Sequence, residues 1–302
     1  MKTVSVYIPT HNRPAFLARA LASLVNQDIK GFQVLVCDDG STKENKKKVT
    51  AIIDNYKNKF SELVFFNEPT ASGACHARNL MINAADGEFI TGLDDDDEFS
   101  SNRLRVFLES NILEDYAFLS SGLIVNDGKT LEPFIQTKGI IALDKLLYSN
   151  VVGNQIFTRT EHLKTLGGFD EAFPSWQDYE LWVRLTNKIG PSYKIQDCTY
   201  ILNIDHELGR ITNSSRVKEG YLKFINKHAK LLNSKQLKSL EVQNLINNSE
   251  KPDVKFFMNT IGIKSTSRLT NYWIKSKFPT PYNLIRECGK TSIRKLRAVT
   301  KT

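Results

Sequence analysis

The sequence predicts an α/β fold: a mostly parallel sheet flanked by helices, followed by a helical, basic C-terminal extension. The first observation is that short apolar runs alternate with amphipathic stretches over the first hundred residues. That alternation requires crossover connections, and crossovers make neighbouring strands parallel. The second is size: 302 residues at 41% hydrophobic content suffice for one large α/β domain with an appendage. The third is charge. Residues 1–215 carry 22 Lys and Arg against 28 Asp and Glu, whereas residues 216–302 carry 19 against 5. An acidic body suits a site that holds cations, and a basic tail seeks anions.

Taken in order, Val4–Ile8 is β-branched and reads as a buried strand. Pro14 opens a helix whose Phe16, Leu17, Ala20, Leu21 and Leu24 recur at helical spacing. Phe32–Cys37 is a second strand, ending in the turn residues Asp38-Asp39-Gly40-Ser41. A polar helix over 43–59 and a strand at Leu63–Asn67 follow, then a helix at Ala74–Ala85. Glu88–Leu93 is a strand that runs straight into Asp94-Asp95-Asp96-Asp97. Between 100 and 215 the pattern is mixed, with a strand at Ala117–Val125 and helices at Asp144–Tyr148 and Asp178–Lys188. Beyond 215 the chain is helix-prone, interrupted by the polar run at Asn248–Asp253. The expected division is therefore 1–215 and 216–302.

Several classes are disfavoured. Cys37, Cys75, Cys198 and Cys288 are scattered, a poor disulfide framework and a poor zinc site, so a reducing cytoplasm is expected. The apolar run after Met1-Lys2-Thr3 is short for a signal peptide, and no stretch approaches the about 18 apolar residues of a membrane span. The first strand is followed by Pro-Thr-His-Asn-Arg-Pro rather than a glycine-rich turn, which argues against dinucleotide oxidoreductases and nucleotidylyltransferases.

In open α/β sheets, ligands sit beyond the carboxyl ends of the strands. Three polar segments fall there: Pro9-Thr10-His11-Asn12, Cys37-Asp38-Asp39 and the four-aspartate run. Adjacent carboxylates repel, so a cation or a set of donors must neutralise them. Hard oxygen ligands suit Mn2+ or Mg2+, which also bridge phosphates. A solvated acidic loop is the bland alternative for any aspartate run, but an apolar strand delivers this one to the ligand edge. Asp39 is placed to accept from a base or from ribose, although Asp38-Asp39-Gly40 by itself also makes a simple turn. Ala71-Ser72-Gly73-Ala74 leads into a helix start, and Arg78 lies one turn in, where anions are favoured. Asp178, after a glycine-containing loop, is either a helix-start carboxylate or a general base. His206 is a candidate metal ligand or phosphate contact and Arg210 a candidate leaving-group clamp.

Together these segments resemble the inverting glycosyltransferases of family 2. Val4-Ser5-Val6-Tyr7-Ile8-Pro9-Thr10-His11-Asn12-Arg13 is similar to the family's opening strand. Asp38-Asp39-Gly40-Ser41, Ala77-Arg78-Asn79, and Gly87-Glu88-Phe89-Ile90 with Leu93 to Asp97 follow in its order. Gly167-Gly168-Phe169-Asp170 and Gln177-Asp178-Tyr179-Glu180-Leu181-Trp182 are similar to its acceptor-side motif. The resemblance covers residues 3–215 and implies a GT-A type fold with a mostly parallel Rossmann-like sheet. It implies that Pro9, Thr10, Asp38, Asp39, Arg78 and Asp95 meet the nucleotide, Asp39 its base and Asp95 its ribose. Asp94 and Asp96 take the outer positions of a metal-binding DxD pattern, with the register open by one residue. Asp178 takes the position of the catalytic base; the residue before it is usually Glu and here is Gln177.

The activity so implied is transfer of a hexose from a UDP-sugar to an acceptor hydroxyl, metal-assisted and with inversion. The acceptor expected is a lipid-linked saccharide of bacterial surface polysaccharide synthesis, such as O-antigen. The alternative is a catalytically inactive nucleotide-sugar-binding scaffold at the membrane. The basic tail mixes Lys and Arg with Tyr221, Phe224, Phe256, Phe257, Tyr272, Trp273, Phe278 and Tyr282. That composition fits peripheral contact with an anionic membrane at its cytoplasmic face, or a helical appendage packed through its aromatics. No nucleic-acid-binding signature is present.

Overall fold

Strand β1 (Val4–Thr10) is buried along nearly its whole length because it is paired on both sides, in parallel with β2 (Gln33–Asp39) and with β4 (Phe89–Gly92). A strand covered on both faces has no solvent side to supply polar alternation, which is why Val4–Ile8 reads as a continuous apolar run. The computed structural model describes residues 3–135, 137–205, 214–260 and 265–277. By contacts the chain divides into two units, Met1–Ile211 and Thr212–Thr302.

In the first unit helix α1 (Pro14–Val25) follows β1, with Pro14 in its first turn where the missing N–H costs nothing. It buries Leu17, Ala20, Leu21 and Leu24 against Val4, Val6, Ile8, Val34 and Val36. Helix α2 (Lys43–Tyr56), capped by Thr42, leads to β3 (Glu62–Glu68), and α3 (Ala74–Ala84) leads to β4. Sheet order β3-β2-β1-β4-β9-β6-β10-β5 means that the chain moves outward from β1 to β3 and then returns to β1's other side with β4. That reversal opens a crevice at the carboxyl ends of β1 and β4, where an open α/β sheet binds its ligand.

Beyond β4 the pairing becomes mixed. The elements are β5 (Glu98–Phe99), α4 (Arg103–Glu109), β6 (Leu119–Asn126), β7 (Leu131–Phe134), β8 (Gly139–Ile141) and α5 (Leu143–Leu146). They continue with β9 (Phe157–Arg159), α6 (Thr160–Thr165), α7 (Gln177–Lys188) and β10 (Ser192–Asn203). Strand β10 is parallel to β6 but antiparallel to β5 and β8, and β9 runs antiparallel between β4 and β6. The strand expected at Ala117–Val125 is β6, and the mixed region between 100 and 215 hides four more, β7 to β10, that the sequence does not announce. Phe157–Arg159 is too short for any periodicity, and Lys194, Gln196 and Asp197 break the apolar pattern of β10 where its register shifts.

The second unit holds α8 (Ser214–Lys227), α9 (Ser234–Asn247), α10 (Val254–Met258) and α11 (Thr266–Lys277). Asn233 and Gln236 form a reciprocal capping box at the start of α9. Val242, Leu245 and Leu269 make a small core, joined by Phe256, Phe257 and Tyr272. The break between α9 and α10 falls in the polar run at 248–253. No helix among the described residues is long and apolar enough to cross a membrane.

Candidate active site

Two loops close one side of the crevice. At the end of β2, Asp38 Oδ1 accepts from the Ser41 N–H at 3.2 Å and from the Ser41 hydroxyl, while its Oδ2 is buried without a hydrogen-bond partner. Gly40 sits at a φ of 65°, and a Cβ there would lie 2.1 Å from the Ala71 nitrogen, so the close approach of the two loops requires glycine. Asp39 then accepts from the backbone N–H groups of Ser72 at 2.7 Å and Gly73 at 2.8 Å. The Asp39 carboxylate therefore fixes the entry to α3.

The four-aspartate run lies at the other side of β1. Asp95 accepts from the Thr10 hydroxyl at 2.7 Å, which ties the ends of β1 and β4 together. Arg13 Nη1 stands 2.9 Å from Asp96 Oδ2 and 3.2 Å from Asp95 Oδ1. Arg19, one turn and a half further along α1, donates to the Asp96 carbonyl at 2.7 Å. Asp97 turns inward and accepts from the Asn203 N–H at 2.9 Å. Burial pushes Asp95 up to about 7 and Asp97 up to about 8; Arg13 and the Thr10 hydrogen bond oppose the first, and neighbouring aspartates add to both.

Arg78 links that run to α7. Its side chain is 7% exposed; it donates to Asp94 Oδ1 at 2.9 Å and lies 3.8 Å from Asp178 Oδ1, over the face of Phe169 at 5.1 Å. Burial alone would lower the Arg78 pKa, but Asp178 and Asp94 outweigh it and raise it, so the guanidinium is permanently charged. Asp94 also accepts from Gln155 Nε2 at 3.0 Å, and Gln155 Oε1 accepts from the Tyr7 hydroxyl at 3.2 Å. Tyr200 reaches Asp94 from β10 at 3.4 Å.

Asp178 stands in the first turn of α7, after Trp176 at a left-handed φ of 64°. Its side chain is 24% exposed and its Oδ1 has no hydrogen-bond partner. Burial, opposed by Arg78 and reinforced by Asp94, pushes the carboxyl up to about 7. The supporting frame is firm. Glu180, fully buried two residues on, is held by Arg184 at 2.8 Å, and Arg184 also donates to the carbonyls of Leu166 and Gly168. From the other side Asn79 donates to the Phe169 carbonyl at 2.9 Å and accepts its N–H at 2.7 Å. The Gly167-Gly168-Phe169-Asp170 loop is thus clamped between α3 and α7, which carry Arg78 and Asp178.

The crevice accordingly brings together Thr10, Arg78, Asp94, Asp95, Asp96 and Asp178 from four elements, with Asp38 and Asp39 at its rim. Pro9 lies in β1 opposite Cys37. His206 and Arg210 fall outside the described residues. Sequence reasoning attached no chemistry to Arg13, Arg19, Gln155 or Tyr200. The arginines at the first turn could have been suspected, since four carboxylates need counter-charges; Gln155 and Tyr200 have no local signal. Asp94 and Asp96 side chains are 20% and 23% exposed. Two accessible carboxylates fit Mn2+ or Mg2+, which take one or two such ligands and complete their shell with phosphate oxygens and water. Chemically the arrangement offers a carboxylate of raised pKa, a fixed cation and a carboxylate pair at the crevice mouth.

The comparisons with known proteins agree with this geometry. Residues 5–166 match the family model described as Glycosyl transferase family 2. The chain is 35% identical over 235 residues to WcaA of Escherichia coli K12, a glycosyl transferase assigned to colanic acid biosynthesis, covering 74% of this chain and 81% of that one. It is 28% identical over 232 residues to the GalNAc(5)-diNAcBac-PP-undecaprenol beta-1,3-glucosyltransferase of Campylobacter jejuni, covering 74% and 72%. Among solved structures, S. aureus TarS 1-349 in complex with UDP superimposes with a TM-score of 0.61 at 20% identity, over 90% of this chain and 79% of that one. The mannosyltransferase PcManGT of Pyrobaculum calidifontis, in complex with GDP-Man and Mn2+, does so with a TM-score of 0.63 at 15% identity, over 93% and 82%. These two share the fold, a GT-A arrangement of a largely parallel sheet between helices. With a matching model over more than half its length and a relative above 30% identity, the chain belongs to glycosyl transferase family 2.

Proposed function

We propose that residues 1–215 form an inverting hexosyltransferase that uses a UDP-sugar and a lipid-linked saccharide acceptor in bacterial surface polysaccharide synthesis. The observation that carries this reading is the buried Arg78 bridging Asp94 and Asp178, which sets the carboxylate run and the candidate base across one crevice. The lipid-linked acceptor is supported by the undecaprenol in the Campylobacter relative's name, and UDP by its presence in the TarS complex.

In this mechanism Thr10, Asp39 and Asp95 orient the nucleoside, Asp39 toward the base and Asp95 toward the ribose. Asp94 and Asp96 would hold a divalent cation, Mn2+ or Mg2+, and the chemistry it would supply is neutralisation of charge on the departing diphosphate. Asp178 takes the proton from the acceptor hydroxyl as its oxygen attacks the anomeric carbon from the face opposite the diphosphate. Arg78 holds the base and the carboxylate run at fixed separation. Residues 216–302 form the basic extension, which meets an anionic membrane surface at its cytoplasmic face.

Calorimetric titration of UDP, GDP, CMP and dTDP, each with Mn2+, Mg2+ or EDTA, tests the donor class. UDP is expected to bind with a divalent cation and to weaken when EDTA replaces it. Tighter binding of GDP, as the PcManGT complex would suggest, overturns the UDP assignment; binding indifferent to EDTA overturns the cation.

A further inference from the structure

Three of the four carboxylates at the end of β4 are paired with the protein's own cations. Arg78 takes Asp94, and Arg13 takes both Asp95 and Asp96, at 3.2 and 2.9 Å. Arg13 is not there by chance of rotamer. It follows Asn12, whose φ of 58° turns the chain between β1 and α1. Asn12 is pinned in that conformation: its N–H donates to the Ser41 hydroxyl at 2.7 Å, and its Oδ1 accepts from the Thr42 N–H at 2.8 Å and from Asn45 Nδ2 at 3.1 Å. The same turn therefore builds the nucleotide-side loop and aims a guanidinium at the acidic run.

The two partners of Arg13 differ. The Asp95 side chain is 6% exposed and anchored by Thr10, whereas that of Asp96 is 23% exposed and that of Arg13 27%. One contact is part of the frame and the other lies at the open mouth. We infer that Arg13 is a resident counter-cation of the Asp95–Asp96 pair, which holds Asp96 until a divalent ion binds and then yields it. This rests on the assignment of Asp96 to the cation in the proposed function. A guanidinium cannot be deprotonated, so it leaves Asp96 only by moving, and a nearby diphosphate gives it somewhere to go. Cation binding is then coupled to nucleotide binding: the cation alone competes with Arg13, and the cation with UDP does not.

The test is the affinity for Mn2+ alone, by calorimetry, for the full-length wild type, Arg13→Gln and Arg13→Lys. Removing a like charge beside the ligand is expected to tighten Mn2+ binding about tenfold, the size of effect one adjacent charge exerts on an ionisable group. Arg13→Lys, which keeps the charge, is expected to stay near wild type. Arg13→Gln binding Mn2+ no tighter than wild type, while Mn2+ still binds with UDP present, overturns the counter-cation role. A wild type that binds no Mn2+ even with UDP instead overturns the cation assignment beneath it. A second measurement reads the wild type directly. In wild-type protein the Arg13 Nε–H resonance, assigned against Arg13→Lys, is expected to shift as Mg2+ is titrated alone, and a resonance that stays in place contradicts the handover.

Discussion

Asp178 must lose its proton to act as a base, yet its surroundings favour keeping it. Its carboxyl rises from the ordinary 3.8 to about 7, mainly through burial, with Asp94 adding and Arg78 opposing. Acceptor-side kcat/KM is therefore expected to climb about tenfold per pH unit below 7 and level off above it, as for a single essential base. Asp178→Asn should cost about 10²–10⁴-fold in turnover and leave UDP binding intact. Near-wild-type turnover in that variant would remove Asp178 from its role. The same shift has a stability consequence. Between 3.8 and about 7 the folded protein holds a proton that the unfolded chain has lost, so this group's contribution falls as pH rises across the window. The urea midpoint of Asp178→Asn should thus gain on that of the wild type between pH 4 and pH 8. A difference that is flat with pH would show that burial does not perturb this carboxyl.

At the scale of elements, the site depends on helix α7 staying docked, and a buried ion pair adds to the packing of Tyr179, Leu181, Trp182, Val183 and Leu185 that docks it. Glu180 is fully buried, and Arg184, 18% exposed, carries it together with the carbonyls of Leu166 and Gly168. Arg184→Met takes the arginine away from a buried carboxylate and is expected to cost about 3–5 kcal/mol in urea unfolding. The double variant with Glu180→Gln should recover part of that loss, because the uncompensated charge is gone. If the double variant were worse than the single, the pair would not be the clamp. Gly40→Ala is a second element-scale test. With a φ of 65° and a Cβ 2.1 Å from the Ala71 nitrogen, it should force the two loops apart and weaken UDP binding along with stability.

These elements also show what the sequence could and could not reveal. The first hundred residues were legible because β1, β2 and β4 are buried on both faces and each helix has one apolar side, so periodicity maps directly onto structure. The positions of the aspartate run and of Asp178 at a strand end and a helix start were legible, because a carboxylate there is informative where it stands. The clamp on Asp178 was not, since Glu180 and Arg184 look like an ordinary surface pair four residues apart. Gln155 and Tyr200 meet Asp94 across sequence separations of 61 and 106 residues, and nothing local marks them. Strand β9 supplies three residues whose pairing is decided by β4 and β6, not by their own pattern.

At the scale of the whole chain, charge is distributed by unit. Residues 216–302 carry 19 Lys and Arg against 5 Asp and Glu, while the rest is acidic. In α8 the apolar residues Val217 and Phe224 are buried while Lys218 is exposed, and Lys230 and Lys235 are exposed further on. Leu222 is 50% exposed on the same helix. A basic surface with an apolar residue among its lysines suits an anionic bilayer, where each nearby Lys or Arg contributes about 1 kcal/mol. Such attraction is screened within about 8 Å at physiological ionic strength and about 3 Å at 1 M salt. The full-length protein should therefore float with vesicles containing phosphatidylglycerol at low salt, release at high salt, and ignore purely zwitterionic vesicles. Reversing Lys218, Lys230 and Lys235 to Glu together should abolish flotation while UDP binding persists, since none of the three belongs to the crevice. Flotation that survives both high salt and the triple reversal would mean that apolar insertion, not charge, holds the protein to lipid. A wild type that stays with the soluble fraction at low salt would leave the basic extension without a membrane role and make its lysines a solvated surface.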